Sequence, residues 1–244
     1  MAISSGSATD VGRKRSANED SVLAHDDLGL YIVADGMGGH SCGDVASQTA
    51  VEVIRGKLEI SKSKGRLKDD PGGELKAALE LANKAVWELG QSMTGCKSMG
   101  TTVNAVIFGK NCFFTANVGD SRSYRISGTA IERLTTDHSL VEEQVAIGAI
   151  TRDEARTSPV RNVITRAMGQ DEDVEVDLLR HEYKKNDMIL LCSDGLSGMV
   201  DDDAICKLVV EHGTNDLTRG VIALIESAND NGGTDNISVV LIRM

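Results

Sequence analysis

Acidic residues in this 244-residue chain recur where apolar runs begin or end. Asp35 closes the run Leu30-Tyr31-Ile32-Val33-Ala34 and is followed by Gly36. Asp194 follows Met188-Ile189-Leu190-Leu191-Cys192 after a single serine and is also followed by glycine. Asp120 comes after Ala116-Asn117-Val118-Gly119, and Asp235 stands just ahead of the last apolar run. Glu19 and Asp20 lead into another short apolar segment. A carboxylate at the end of a rigid strand is held in place, and a neighbouring glycine lets backbone approach a ligand closely.

Each such piece taken singly also reads as ordinary punctuation, since Asp-Gly is a turn dipeptide and Asn-Glu-Asp a helix cap. Together, with Asp35, Asp194 and Asp235 sharing one context, they point to a site for a hard cation. The five histidines (His25, His40, His138, His181, His212) show no paired spacing that would hold zinc. Mg²⁺ prefers one or two carboxylates and several waters, and Mn²⁺ accepts the same ligands. Two such ions bridged by one aspartate can activate a shared hydroxide for in-line attack on phosphorus, with no protein nucleophile required.

Other phosphate chemistries lack their signatures. There is no GxxxxGK[ST] loop and no kinase motif set. Gly36-Met37-Gly38-Gly39 lacks the third glycine at dinucleotide spacing. The DxD at Asp171-Glu172-Asp173 follows a polar stretch and reads as surface.

The elements that must carry these acids are strands paired as hairpins and helices in clusters. Residues 30–34, 188–192 and 237–242 read as buried strands. Residues 101–108 and 112–118 flank Gly109-Lys110-Asn111 as one hairpin, and 123–126 with 130–134 flank Ser127-Gly128 as a second. Apolar residues at three- and four-residue steps predict helices over 44–58, 74–89 and 216–228. The charged stretch 61–73, with Pro71, Gly72 and Gly73, reads as a loop. Hairpins beside helix pairs disfavour a parallel sheet and predict an α+β layered sandwich, antiparallel sheets inside and helices outside. With no repeat or linker, the whole of residues 1–244 is expected to form one domain.

A net charge of −11 repels phosphate backbones and anionic lipid, so neither nucleic acid nor a membrane surface is expected as a partner. Cys42, Cys96, Cys112, Cys192 and Cys206 are odd in number and form no CxxC, which predicts reduced thiols in a cytosol. No leader-like segment or membrane-length apolar run is present, so a soluble cytoplasmic protein is expected.

The ordered motifs Arg15-x-x-Asn18-Glu19-Asp20, Val33-Ala34-Asp35-Gly36-Met37-Gly38-Gly39-His40, Met99-Gly100-Thr101-Thr102, Val118-Gly119-Asp120-Ser121-Arg122, Ser193-Asp194-Gly195-Leu196 and Gly233-Thr234-Asp235-Asn236 resemble those of metal-dependent type 2C protein phosphatases, the compact bacterial members in particular. The resemblance runs from about residue 9 to the end. It implies a four-layer αββα sandwich with two central antiparallel sheets. It further implies hydrolysis of phosphoserine and phosphothreonine in proteins by a metal-bridging hydroxide, using two core Mn²⁺ or Mg²⁺ ions and a possible third. In that family's terms Asp35 bridges both ions and Gly36 ligates through its carbonyl. Asp194 and Asp235 complete one ion's ligands, while Glu19 and Asp20 act mainly through waters. Asp120, with Asp194, matches the third position. Arg15 matches the phosphate-binding arginine, and Asn236 supports the ligand shell by hydrogen bonding. Residues 139–169 resemble a flap beside the active site.

Two departures stand out. Met37 occupies the place of the animal-type histidine that protonates the leaving group, which makes His40 the candidate general acid. Ser158-Pro159 stands where many bacterial relatives carry His-Pro. The predicted role is that of a monomeric phosphatase opposing a Ser/Thr kinase. The alternatives are a non-catalytic regulator on the same fold, whose metal ligands would be eroded, or a phosphatase dedicated to an anti-sigma-factor antagonist.

Overall fold

A computed structural model of the chain describes residues 3–38 and 42–244. The strands are β1 (Ser4–Asp10), β2 (Asp20–His25), β3 (Leu30–Met37), β4 (Gly100–Thr101), β5 (Val103–Phe108), β6 (Phe113–Val118), β7 (Arg122–Ser127), β8 (Ala130–Arg133), β9 (Asp177–His181), β10 (Met188–Cys192) and β11 (Ile237–Arg243). One sheet has the order β1-β11-β10-β7-β8; the other has β2-β3-β5-β6-β9, with β4 added to β3. Every pairing is antiparallel.

The long helices are α1 (Gly43–Ser63), α3 (Pro71–Ser92) and α8 (Leu217–Asp230). Shorter ones are α2 (Arg66–Asp69), α4 (Leu140–Ala146), α5 (Arg152–Thr157), α6 (Asp194–Ser197) and α7 (Asp202–Leu208).

Strand periodicity explains the layers. On β3, Leu30, Ile32 and Ala34 join the core beneath α1 and α3, whereas Tyr31 and Val33 face the other sheet. On β11, Ile237, Val239 and Leu241 pack under α7 and α8, whereas Val240 and Ile242 join the same central layer. Side chains alternate across a strand, so a sheet buried on both faces reads as a continuous apolar run. The result is the predicted αββα stacking with three apolar layers.

Both predicted hairpins are present in the expected places, as β5–β6 and β7–β8. Three expectations are corrected. Residues 61–73 are largely helical: α1 extends to Ser63, α2 fills four more residues, and α3 begins at Pro71, where the Asp70 side chain accepts from the Gly73 N–H at 2.8 Å. Proline at the first helical position is compatible with a helix start, and a loop reading overlooked this. Asp35 does not follow a strand but lies within β3, directly across from Asp20 on β2. Finally, the five thiols are not all reduced: Cys42 and Cys96, 54 residues apart, form a disulfide. Their spacing carried no sign of it, because folding brings the start of α1 next to the loop after α3. Cys192 and Cys206 are free and buried, and Cys112 is free and partly buried.

Candidate metal centre

The central layer between the sheets is apolar in its middle and polar at one end. Following each strand along the inward parity, Tyr31 and Val33 lead to Asp35, Ala24 and Val22 lead to Asp20, and Val106 leads to Asn104 and Thr102. From the facing sheet, Ile189 and Leu191 lead to Ser193, and Ile242 and Val240 lead to Ser238. This end is stitched across the sheets by hydroxyls. Thr102 Oγ1 and Ser121 Oγ are 2.7 Å apart, and the Ser123 hydroxyl donates to Asn104. The Asp35 backbone is fixed within it: its N–H donates to Thr102 Oγ1 at 3.0 Å, and its carbonyl accepts from the Thr101 hydroxyl at 2.9 Å. Thr101, Thr102 and Ser121 thus support the site rather than form it.

Each remaining acid arrives on a neighbouring element. Asp194 opens α6 immediately after β10, and Asp235 precedes β11. Asp120 sits between β6 and β7, after Gly119, whose φ is +108°. Glu19 precedes β2, where its N–H donates to Asn236 Oδ1 at 2.8 Å. Asn236 also donates to the carbonyls of Val11 and Ala17, at 3.0 and 2.9 Å, and so ties the N-terminal loop to Asp235. Gly36 has no room for a side chain, since a Cβ would stand 2.1 Å from the Gly43 carbonyl oxygen and 2.4 Å from that of Glu19.

The electrostatics describe an uncompensated anionic site. Asp20 and Asp120 are only 8% and 7% exposed, while Asp35 and Asp194 are partly exposed. Burial pushes Asp20 up to about 7, against the pull of the nearby Ser238 and Ser193 hydroxyls, neither of which completes a hydrogen bond to it. Burial, then repulsion from Asp194, pushes Asp120 up to about 7. Asp194 rises to about 6 through burial and the charge of Asp235. Asp35 is raised well above the usual carboxylate range by burial and by four neighbouring aspartates, Asp20 first among them. Glu19 is also raised, chiefly by burial and then by Asp44. Like charges directly across a strand pair are destabilising unless something offsets them.

Both carboxylate oxygens of Asp20, one of Asp120 and one of Asp194 are buried without a hydrogen-bond partner. Buried polar atoms are ordinarily satisfied, so these four oxygens fit a site for a positively charged group. The protein's own contribution there is Arg15, whose Nη2 lies 2.7 Å from Asp235 Oδ2. An all-oxygen donor set suits Mg²⁺ or Mn²⁺. The acids do not close into a dry cage: among the described residues, no three His, Cys, Asp or Glu side chains already meet as a metal cluster.

A cleft of about 660 Å³ leads away from Asp120 and Asp194, and Arg122, Arg133, Arg156 and Asn162 are among the residues lining it. Its outer wall is the segment carrying α4 and α5, pinned at its base where Ser139 bridges Ile164. Within that segment the Ser158 hydroxyl accepts from the Val160 N–H at 3.3 Å and so stabilises a local turn. Behind Asp120, Arg122 pairs with Asp137 at 2.7 Å and donates to the Tyr124 hydroxyl at 3.2 Å. Reasoning from sequence missed Ser193 and Ser238 at the site; following the alternation of β10 and β11 past their last apolar residues would have found both. The candidate general acid His40 lies outside the described residues. No helix among those described is long and apolar enough to cross a membrane.

This geometry agrees with what the chain is similar to. A family model described as Protein phosphatase 2C matches residues 11–232. A serine/threonine phosphatase of Listeria monocytogenes is 36% identical over 237 residues, covering 96% of this chain and 93% of the relative. The crystal structure of the Mycobacterium tuberculosis serine/threonine phosphatase PstP superposes with a TM-score of 0.92 at 33% identity, covering 100% of this chain and 99% of that one. The PstP catalytic domain in complex with 2 manganese ions superposes with a TM-score of 0.85 at 33% identity, covering 99% and 97%. A family match over nearly the whole chain, together with a relative of almost equal length, establishes that the chain belongs to the protein phosphatase 2C family.

Proposed function

We propose that this chain is a Mn²⁺- or Mg²⁺-dependent phosphatase acting on phosphoserine and phosphothreonine in proteins, opposing a Ser/Thr kinase. The carrying observation is the set of buried, partnerless oxygens on Asp20, Asp120 and Asp194 around Asp35.

Asp35, raised by burial and by the charges of four other aspartates, would be the ligand shared by two ions. The Gly36 carbonyl would ligate one of them, and the absence of a side chain there keeps the backbone against Glu19 and Gly43. Asp194 and Asp235 would complete one ion's protein ligands. Glu19 and Asp20 would act through waters, and Asp120 with Asp194 would offer a third, weaker position.

Divalent cations bound here would provide an activated water for attack on phosphorus and neutralise charge on the phosphoryl group. Arg15 is poised at the rim, 2.7 Å from Asp235, where its planar fork can take two phosphoryl oxygens. Thr101 and Thr102 keep Asp35 from shifting as charge changes around it. The central layer behind Asp35 is hydrocarbon, so the acids cannot retreat into water from that side.

The test is phosphate release from a phosphothreonine peptide with and without Mn²⁺. The wild type should require the metal, and Asp35→Ala and Asp194→Ala should lose activity. Undiminished turnover in both variants would refute the assignment.

A further inference from the structure

We propose that His138 is a positioning residue that sets Asp120 in the metal centre by gripping the Gly119 residue that precedes it. His138 is buried, at 7% exposure, and lies outside the acid cluster. It holds Gly119 at two points. The His138 backbone N–H donates to the Gly119 carbonyl at 3.0 Å, and the Gly119 N–H donates to ring Nδ1, also at 3.0 Å. Asn117 Nδ2 adds a third contact, donating to the same carbonyl at 3.1 Å.

The hydrogen-bond directions fix the ring's state. A peptide N–H can only donate, so Nδ1 is the unprotonated nitrogen and the ring proton sits on Nε2. Nε2 faces Asp177 Oδ2 at 3.2 Å, an acceptor for that proton. Arg166 holds Asp177 in turn, with Nη1 2.7 Å from Oδ1; the same nitrogen lies 3.1 Å from Nε2, where two donors make no hydrogen bond and only Asp177 accepts the ring proton. Arg166 is also anchored on the Glu175 carbonyl at 3.2 Å. Every polar atom of the imidazole therefore has an assigned partner.

Gly119 needs such a grip. Its φ of +108° is a conformation that side chains disfavour, and a Cβ there would stand 2.6 Å from Thr102. The next residue is Asp120, which carries a buried oxygen with no partner. Rotation of the Gly119 peptide would move the Asp120 carboxylate out of its present place. A ligand's placement depends on such supporting contacts as much as on the ligand itself. The inference rests on the reading of Asp120 as a weak-site ligand.

The test is a Mn²⁺ titration of the full chain, followed by electron paramagnetic resonance, on wild type, Asp120→Asn, His138→Gln and His138→Asn. An Asn side chain can offer its oxygen where Nδ1 stands, whereas Gln reaches toward Nε2 and leaves the Gly119 N–H unmet. Asp120→Asn should abolish the weakest Mn²⁺ site. His138→Gln should weaken that same site at least tenfold and leave the tighter sites unchanged, while His138→Asn should stay within threefold of wild type. If Asp120→Asn leaves every site intact, the ligand reading itself fails. If Asp120→Asn removes the weak site but His138→Gln leaves it intact, or weakens it no more than His138→Asn does, the positioning role fails. Asp177→Ala removes the ring's orienting partner at a half-exposed position and covers the case where His138→Gln does not fold. It should weaken the same site, and unchanged affinity would overturn the proposal. Imidazole ¹⁵N NMR of the metal-free chain should find the His138 proton on Nε2; a proton on Nδ1 would equally overturn it.

Discussion

Replacing Asp20 with asparagine should stabilise the metal-free protein and weaken its hold on metal. Asp20 faces Asp35 across the β2–β3 ladder, is 8% exposed, and has two oxygens without partners. Burial raises its pKa from 3.8 to about 7. A folded-state pKa above the unfolded one means that the native protein binds the extra proton. The associated stability is present below about pH 4 and is lost as pH rises through about 7. At about 1.4 kcal/mol per unit, the raised pKa costs roughly 4 kcal/mol at pH 8, where the buried group is ionised, and roughly 2 kcal/mol at pH 5, where the native state must hold a proton that the unfolded chain has lost. Asparagine has the same shape and no charge to desolvate, so Asp20→Asn should recover up to those amounts in EDTA. At ~2–4 °C per kcal/mol for a chain of this size, the pH 8 gain is a rise in Tm of up to ~8–16 °C. With Mn²⁺ added, the wild type should gain about 2.7 kcal/mol at a hundredfold excess over its dissociation constant, and the variant less at the same concentration. Calorimetry at pH 5 and pH 8, with EDTA and with Mn²⁺, gives all four values. A destabilised variant in EDTA at pH 8, or a gain that does not grow with pH, would refute the reasoning.

Gly36→Ala should remove Mn²⁺ binding even if the chain folds, because its Cβ would lie 2.1 Å from the Gly43 carbonyl oxygen; retained stoichiometry by calorimetric titration would contradict this. Arg15→Ala should raise KM for a phosphopeptide about tenfold or more, the ~1.4 kcal/mol or greater expected from a lost charge-assisted contact; an unchanged KM would remove Arg15 from phosphate binding. Replacing Cys42 and Cys96 with serine should lower the denaturation midpoint, since closing a 54-residue separation is worth about 4 kcal/mol in the chain-entropy account; equal midpoints would show that the bond adds nothing.

The layered fold was legible because its strands are covered on both faces and therefore appear as unbroken apolar runs, as at Met188–Cys192, where predicted and observed bounds coincide. β1 escaped notice because Ser4–Asp10 carries little apolar signal and is held by its ladder with β11. β9 was missed likewise: Leu178 packs on the core, but Leu179 is 50% exposed and the strand is carried by its pairing with β6. At the site, the acids stood out because charge beside hydrocarbon is conspicuous, and the ordered motifs supplied their expected roles. What holds them was harder to see. The contacts of Thr102 with Ser121, His138 with Gly119, and Asn236 with Ala17 join residues 19 or more positions apart, and no local pattern encodes such meetings. The Cys42–Cys96 bond was illegible for the same reason.

The central claim is that Asp35 is the ligand shared by two cations. Crystals grown with Mn²⁺ and measured at the manganese absorption edge test this most directly. The account predicts two anomalous peaks within coordinating distance of the Asp35 carboxylate, one of them also contacting Asp194 and Asp235. Manganese peaks that bypass Asp35, or a single peak there at saturating metal, would contradict it.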